Sequence, residues 1–347
     1  MRCGGRVSAF PAGRCWWRWT RPAARGFRYR RRSAQRCWPP ARRTRRGDAA
    51  PAAVLVSRPE TPEQEAPMPV MQVRGVNLVY EVLGDSGPVV AISPGGRRGL
   101  GSDRALGLLL AEAGYRALVY DRRNTGGSDI ALAGDSESHE QAEDLLALLR
   151  ALGTGPAYVA GCSSGARLSL LLGLRHPDAV LGLLLWRVTG GAYAAKRLAF
   201  NYYEQYLAAV ERGGIEAVCG TEHFSALIKA NPSNRARLEA MGAEAFAPQM
   251  RRWLAGFHQG SGHPVAGLAP EELRRIAVPA VLVAGNDRVH PAEGAQSAHR
   301  CMPNSVFREV LTTPADADVD FAGWEAATAR LAAVFINFLR GQEARRG

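Results

Sequence analysis

The segment Gly161-Cys162-Ser163-Ser164-Gly165 holds the strongest chemical signal in the sequence, a G-x-S-x-G pattern between a predicted strand and a predicted helix. A serine in this context sits on a tight, strained turn that projects its hydroxyl above the sheet. Glycines are needed on both sides because a Cβ would clash with the neighbouring strand and helix. Amides at the start of the helix can stabilise a negatively charged oxygen. The pattern therefore predicts that Ser163 is a nucleophile.

Strands and helices alternate on both sides of this segment. The expected strands cover 88–92, 116–120, 157–160, 180–186, 278–284 and 305–311, and the expected helices cover 104–113, 140–152, 164–174, 292–301 and 324–340. A hairpin over 72–82, with Gly75 in its turn, comes first. Wholly apolar strands are typical of a sheet buried on both faces, and strand–helix alternation is typical of parallel strands with right-handed crossovers. The pattern predicts an α/β fold with a doubly wound, mostly parallel sheet.

The alternation stops between residues 191 and 272, where helical patterns occur with no strand pattern among them. The expected helices cover 196–212, 221–229, 233–241 and 245–257. This predicts a helical cap at 191–272, inserted between two halves of one α/β core at 68–190 and 273–347. Aromatic residues of the cap either line an apolar pocket or form the ordinary core of its helices; they are Tyr202, Tyr203, Tyr206, Phe224, Trp253 and Phe257.

The first 67 residues differ in composition from the rest of the chain. Residues 1–50 contain 15 Arg and one acidic residue, whereas the remaining chain contains 29 basic and 31 acidic residues. The net charge of +12 therefore belongs to this tail. We expect 1–67 to be a disordered tail and linker, explained best by an over-extended start with Met68 or Met71 as the true first residue. A targeting peptide and a nucleic-acid-binding arm are the alternatives.

Several segments, in the same order along the chain, resemble the α/β-hydrolase superfamily over roughly residues 70–342. Residues 93–96, Ser-Pro-Gly-Gly, occupy the position where these proteins usually have His-Gly. Residues 121–129 resemble their D-x-R-G-x-G-x-S loop, and residues 278–287 resemble the strand that delivers the catalytic acid. The combination is specific for the α/β-hydrolase fold, although each segment alone is weak.

The resemblance implies the remaining parts of a hydrolase site. The backbone amides of Gly96 and Ser164 would form an oxyanion hole, and Gly95 and Gly96 would let the backbone approach the substrate closely. Asp287 would orient the catalytic base. This aspartate follows an apolar strand at the carboxyl edge of the sheet, where sites of α/β proteins form.

The sequence departs from the family at the base. The superfamily places a histidine after the last strand, but no histidine follows His299. A serine hydroxyl needs a base within hydrogen-bond reach because it is barely ionised at neutral pH. His290 is the favoured candidate, although its spacing of three residues from Asp287 leaves little chain between acid and base. The alternatives are histidines of the cap and carboxylates at the place of the missing histidine: His223, His258, His263, Asp316 and Asp318.

Together these residues predict a serine hydrolase or acyltransferase acting on a small ester-like substrate through Ser163. The alternatives are a non-catalytic relative that binds a small apolar ligand under the cap, and a cofactor-free, non-hydrolytic reaction.

After residue 67 the cysteines are Cys162, Cys219 and Cys301, with no C-x-x-C pair or metal-ligand spacing. We expect no metal, no cofactor and a reducing, cytoplasmic location. No apolar run reaches the ~18 residues of a membrane span, so we expect no membrane partner. The chain after residue 50 has 29 basic and 31 acidic residues, so we expect no nucleic-acid partner for it. The sequence leaves the oligomeric state open.

Overall fold

The computed structural model describes residues 68–346, and the predictions for 1–67 fall outside this range. Within it the strands are β1 Val70–Val73, β2 Val76–Leu83, β3 Val89–Ser93, β4 Arg116–Tyr120, β5 Ala157–Cys162, β6 Val180–Trp186, β7 Ala280–Val283 and β8 Ser305–Arg308. They form one sheet in the order β1-β2-β4-β3-β5-β6-β7-β8. Strand β2 is antiparallel to β1 and β4, and the other neighbours are parallel. The prediction of a doubly wound, mostly parallel sheet is confirmed.

Helices cover both faces of this sheet. They are α1 Arg104–Glu112, α2 Glu137–Ala151, α3 Ser164–Arg175, α4 Ala192–Ala199, α5 Gln205–Cys219, α6 Glu222–Ala230, α7 Ser233–Gln259, α8 Pro270–Arg274, α9 Ala292–Cys301, α10 Phe321–Ala326 and α11 Thr328–Glu343. Leu145 of α2 and Leu168 of α3 belong to the apolar cluster on one face of the sheet. Leu110 of α1 and Phe335 of α11 belong to the cluster on the other face. Burial on both faces explains why the central strands are wholly apolar.

Helices α4 to α7 lie between β6 and β7 in the chain, and residues 192–259 are called the helical insertion below. A π-helical turn at Phe200–Glu204 joins α4 to α5. Helix α7 runs through two of the predicted helices, with a kink at Gly242, whose φ is 66°. Most of a third apolar cluster comes from these helices, including Tyr206, Phe246 and Trp253, and Ile130 and Val289 from outside the insertion also belong to it. Within residues 68–346 no helix is both long and apolar enough to cross a bilayer.

Two segments connect the helical insertion to the sheet, and they lie against each other. Residues 187–191 lead out from β6, and residues 260–267 lead back towards α8. The amide of Ala266 donates to the carbonyl of Thr189 at 2.8 Å. A Cβ on Gly190 would lie 1.9 Å from the carbonyl oxygen of Pro264, so only glycine fits there. This contact fixes the backbone that follows β6 at the carboxyl edge of the sheet.

Candidate active site

The turn between β5 and α3 places Ser163 at the carboxyl edge of the sheet. Its backbone has φ 52° and ψ −111°, a positive φ that is strained for a serine. A Cβ on Gly161 would lie 2.3 Å from the carbonyl oxygen of Gly165, and a Cβ on Gly165 would lie 2.0 Å from that of Ser93. The close approach of β3, β5 and α3 therefore requires glycine on both sides of Ser163.

Two side chains contact the hydroxyl of Ser163. Its Oγ lies 2.9 Å from Nε2 of His290 and 2.9 Å from Oγ1 of Thr189. All three residues are nearly closed off from solvent, with exposures of 7% for Ser163, 3% for His290 and 3% for Thr189. Bulk water therefore does not compete for these hydrogen bonds in this conformation.

Asp287 holds the His290 ring from its other side. Nδ1 of His290 lies 2.7 Å from Oδ1 of Asp287. The same oxygen accepts the backbone amides of Val289, at 3.2 Å, and His290, at 2.9 Å. These bonds fold the intervening residues into a turn, so the short spacing brings acid and base together. Because a carboxylate can only accept, Nδ1 carries the proton and Nε2 can accept from Ser163.

Arg187 occupies the other side of the Asp287 carboxylate. Its Nη2 donates to Oδ2 at 2.9 Å and lies 3.4 Å from Nδ1 of His290. Arg187 is the first residue after β6 and has a positive φ of 53°. Its guanidinium carbon lies 5.6 Å from the ring centroid of Phe321 and 5.8 Å from that of Trp324. A buried cation therefore lies next to both Asp287 and His290.

These charges determine the protonation states of the pair. Burial, reinforced by the positive charge of Arg187, lowers the pKa of His290 to about 4, although the hydrogen bond to Asp287 and its negative charge oppose this. Burial would raise the pKa of Asp287, but the hydrogen bond from His290 and the charges of His290 and Arg187 hold that pKa below its ordinary value. At neutral pH, His290 is therefore a neutral base beside an ionised carboxylate.

The two amides expected to bind an oxyanion are held by their surroundings. A Cβ on Gly95 would lie 3.2 Å from Cβ of Ser163, so the loop after β3 lies directly against the nucleophile. The carbonyl of Gly95 accepts from the amide of Arg98 at 3.2 Å, which fixes the peptide plane that carries the amide of Gly96. Ser164 is the first residue of α3, so its amide has no acceptor inside the helix. Both amides therefore belong to backbone that lies next to Ser163.

Arg122 lies behind these amides and is 2% exposed. Its Nη2 donates to the carbonyl of Gly96 at 2.8 Å, and its Nη1 donates to Oγ of Ser164 at 3.2 Å and to Oε1 of Gln141 at 3.3 Å. Among the described residues no carboxylate forms a hydrogen bond with this guanidinium. Burial lowers the pKa of Arg122, yet an arginine stays charged near neutral pH. Its positive charge therefore lies directly behind the loop that carries the amide of Gly96.

The other candidate bases lie elsewhere. Two of the histidines belong to the helical insertion, the third lies in the return segment 260–267, and the two aspartates precede α10. Across residues 68–346, none of the five forms a hydrogen bond with Ser163; they are His223, His258, His263, Asp316 and Asp318. In the same range no group of three or more His, Cys, Asp or Glu side chains is arranged to hold a metal ion.

Sequence reasoning missed Arg187, Thr189 and Arg122 as parts of this site. Arg187 and Thr189 belong to no motif, and their one signal is their position directly after β6, at the carboxyl edge of the sheet. Arg122 occupies a variable position of the loop motif at 121–129, where the pattern alone assigns it no role.

Comparison with known proteins agrees with this fold. The family model of the α/β-hydrolase fold matches residues 88–188. YraK, an uncharacterized hydrolase of Bacillus subtilis strain 168, is 36% identical over 113 residues, which are 32% of this chain and 40% of YraK. RutD of Variovorax paradoxus strain S110, a proposed carbamate hydrolase, is 37% identical over 114 residues, which are 31% of this chain and 41% of RutD. The match thus spans about two fifths of these relatives.

A solved structure extends the likeness over most of the chain. The hydrolase from Pseudomonas aeruginosa PA01 superposes with a TM-score of 0.55 and 22% identity, covering 78% of this chain and 98% of that one. At this identity the likeness shows the fold. The family model matches the segment from β3 to β6, which contains the turn at Ser163, and the chain has the α/β-hydrolase fold. The curated relatives it matches include named hydrolases.

Proposed function

We propose that this chain is a serine hydrolase, or an acyltransferase, that attacks a small ester-like substrate with Ser163. The observation that carries this proposal is the continuous line of hydrogen bonds from Ser163 Oγ through His290 to Asp287, at 2.9 Å and 2.7 Å. The name of RutD supports the substrate class, because a carbamate also has a carbonyl carbon bonded to a heteroatom.

The proposed reaction has two matched halves. His290 Nε2 accepts the Ser163 proton while Oγ bonds to the carbonyl carbon, and the carbonyl electron pair moves onto oxygen between the amides of Gly96 and Ser164. The intermediate collapses when the bond to the leaving group breaks and His290 returns the proton to that group. Water, deprotonated by His290, then attacks the acyl-enzyme in the same way and releases a carboxylic acid and free Ser163. In an acyltransferase an alcohol or amine takes the place of water.

We further propose that the helical insertion is a cap over this site, with the core formed by 68–190 and 273–347. Tyr202 of the insertion lies close to the loop after β3 that carries Gly95 and Gly96, since a Cβ on Gly96 would lie 3.8 Å from the Tyr202 hydroxyl. The guanidinium carbon of Arg97 lies 5.0 Å from the ring centroid of Tyr202, which adds a cation–π contact between loop and insertion. Because Ser163 is only 7% exposed, a substrate reaches it when these helices move.

A fluorophosphonate probe tests the nucleophile and its base. The wild-type protein should be labelled at Ser163, and Ser163→Ala should abolish labelling. His290→Ala should lower the labelling rate by about 100-fold or more, the contribution of a general base. His299→Ala is the matched control, because that histidine bonds to Ser305 at 2.8 Å, away from the nucleophile.

Two results would contradict the proposal in different ways. No labelling of the wild-type protein would favour the alternative of a relative that binds a small apolar ligand without catalysis. Labelling of wild type and His290→Ala at the same rate would leave Ser163 as nucleophile but remove His290 as its base.

A further inference from the structure

The hydroxyl of Thr189 is the second partner of the nucleophile. Its Oγ1 lies 2.9 Å from Oγ of Ser163, as close as Nε2 of His290. Thr189 is 3% exposed, and its carbonyl accepts from Ala266 at 2.8 Å. Its backbone is therefore fixed by the return segment, and the side chain is held against the nucleophile.

The direction of each hydrogen bond follows from the chemistry of the partners. Asp287 can only accept and the guanidinium of Arg187 can only donate, so Nδ1 of His290 keeps its proton and Nε2 is the acceptor. Ser163 has one hydroxyl hydrogen, and activation requires that it point at Nε2. The bond between Thr189 and Ser163 must then use the hydrogen of Thr189. Thr189 donates, and Ser163 accepts.

From this geometry we propose that Thr189 is a catalytic residue, whose hydroxyl donates to the nucleophilic oxygen and stabilises the negative charge that this oxygen develops. The inference rests on the proposed function. When Ser163 gives its proton to His290, the bond from Thr189 becomes charge-assisted and therefore stronger than in the resting site. The same bond stabilises Ser163 Oγ when it leaves the acyl carbon in the second half of the reaction. Thr189 keeps its own proton throughout, and no covalent bond to it forms or breaks.

A merely structural role predicts a different pattern of mutant effects. If Thr189 only fills space, valine should replace it well, because valine has nearly the same shape and lacks only the hydroxyl. If it acts as a donor, serine should replace it well, because serine keeps the hydroxyl and lacks only the methyl group. The two substitutions therefore separate donation from packing.

The test measures Thr189→Val and Thr189→Ser against the wild-type full chain. The readouts are the second-order rate of fluorophosphonate labelling at Ser163, kcat and KM for p-nitrophenyl acetate, and the thermal midpoint. Losing a hydrogen bond to a charged group should slow labelling by Thr189→Val about 10- to 100-fold, with the loss in kcat and little change in KM. Thr189→Ser should stay within about threefold of wild type. Thr154→Val is the matched control, since its hydroxyl bonds to Leu149 at 3.1 Å before β5, at the opposite edge of the sheet from Ser163.

The outcomes distinguish a failure of the proposed function from a failure of the role proposed for Thr189. If wild type is not labelled, the proposed function fails and this inference fails with it. If wild type is labelled and Thr189→Val reacts equally fast, only the role of Thr189 is refuted. Equal losses in the valine and serine variants would show that packing matters and would also refute it. If Thr189→Val does not fold, Thr189→Ala takes its place in the comparison with serine, with the same expected loss.

Discussion

Removing the charge of Arg187 should move the acid limb of the pH–rate profile to higher pH. The neutral His290 ring is the proposed base, and burial together with Arg187 lowers its pKa to about 4. The protonated ring cannot accept the Ser163 proton, so activity should be present above about pH 4 and be lost as the pH falls through that value. Arg187→Met removes a cation that disfavours protonation, so the pKa of His290 should rise.

The geometry sets the size of this shift. Nη2 of Arg187 lies 3.4 Å from Nδ1 of His290. Two unit charges about 4 Å apart interact by about 4 kcal/mol at an effective dielectric constant of about 20, and one pKa unit corresponds to about 1.4 kcal/mol. The charge of Arg187 is spread over the guanidinium and partly neutralised by Asp287. We therefore expect the midpoint of the acid limb to rise by about one to two pH units.

The assay is the rate of fluorophosphonate labelling at Ser163 across the acid and neutral range, with circular dichroism at each pH to show that the protein stays folded. Arg187→Lys is the matched control, because it keeps the positive charge and should keep the low midpoint even if its rate falls. The reasoning is refuted if Arg187→Met leaves the midpoint unchanged or lowers it. It is equally refuted if the lysine variant shifts as far as the methionine variant.

Three further substitutions test what holds the site in place. Gly165→Ala should prevent stable folding, because its Cβ would lie 2.0 Å from the carbonyl oxygen of Ser93; a thermal midpoint near that of wild type would contradict this. Asn234→Ala should lower the free energy of unfolding in urea by about 2 kcal/mol, because the Asn234 side chain accepts the buried amide of Ile130 at 2.7 Å; an unchanged midpoint would show that the amide finds another partner. Asp144→Ala should cost about 3 kcal/mol in the same assay, because it removes the buried carboxylate paired with Arg123, and a loss below 1 kcal/mol would argue against that pair.

Much of the sheet could be predicted because its strands are short apolar runs bounded by turn residues. Strands β4 and β6 have the predicted limits, and so does helix α9. The helical insertion was less predictable: residues 233–241 and 245–257 are parts of the single kinked helix α7. A glycine such as Gly242 indicates where a helix can break, but tertiary packing determines whether the helix continues past it. Trp253, for example, donates to Gly134 outside the insertion at 3.0 Å, an interaction that no local pattern contains.

The residues of the candidate site also differ in how well the sequence alone predicts them. Ser163 was predictable because its motif and its turn lie within five consecutive residues. His290 could not be chosen over its alternatives, because its contact with Ser163 joins residues 127 positions apart. That contact depends on the spacing of β5 and β7 and on the turn after Asp287. Thr189 lies in a segment without a motif, and only the course of the backbone after β6 brings its hydroxyl to Ser163.

The side-by-side connections at 187–191 and 260–267 have a consequence for how such a protein can change over evolutionary time. Because the chain departs from the sheet and returns to it at adjacent points, the stretch at 192–259 can be lengthened, shortened or exchanged without displacing a strand. Ser163, Asp287 and His290 all lie outside that stretch. Under the proposed function, substrate preference and bond-breaking chemistry are carried by separate parts of the sequence, so the first can diverge while the second is inherited intact.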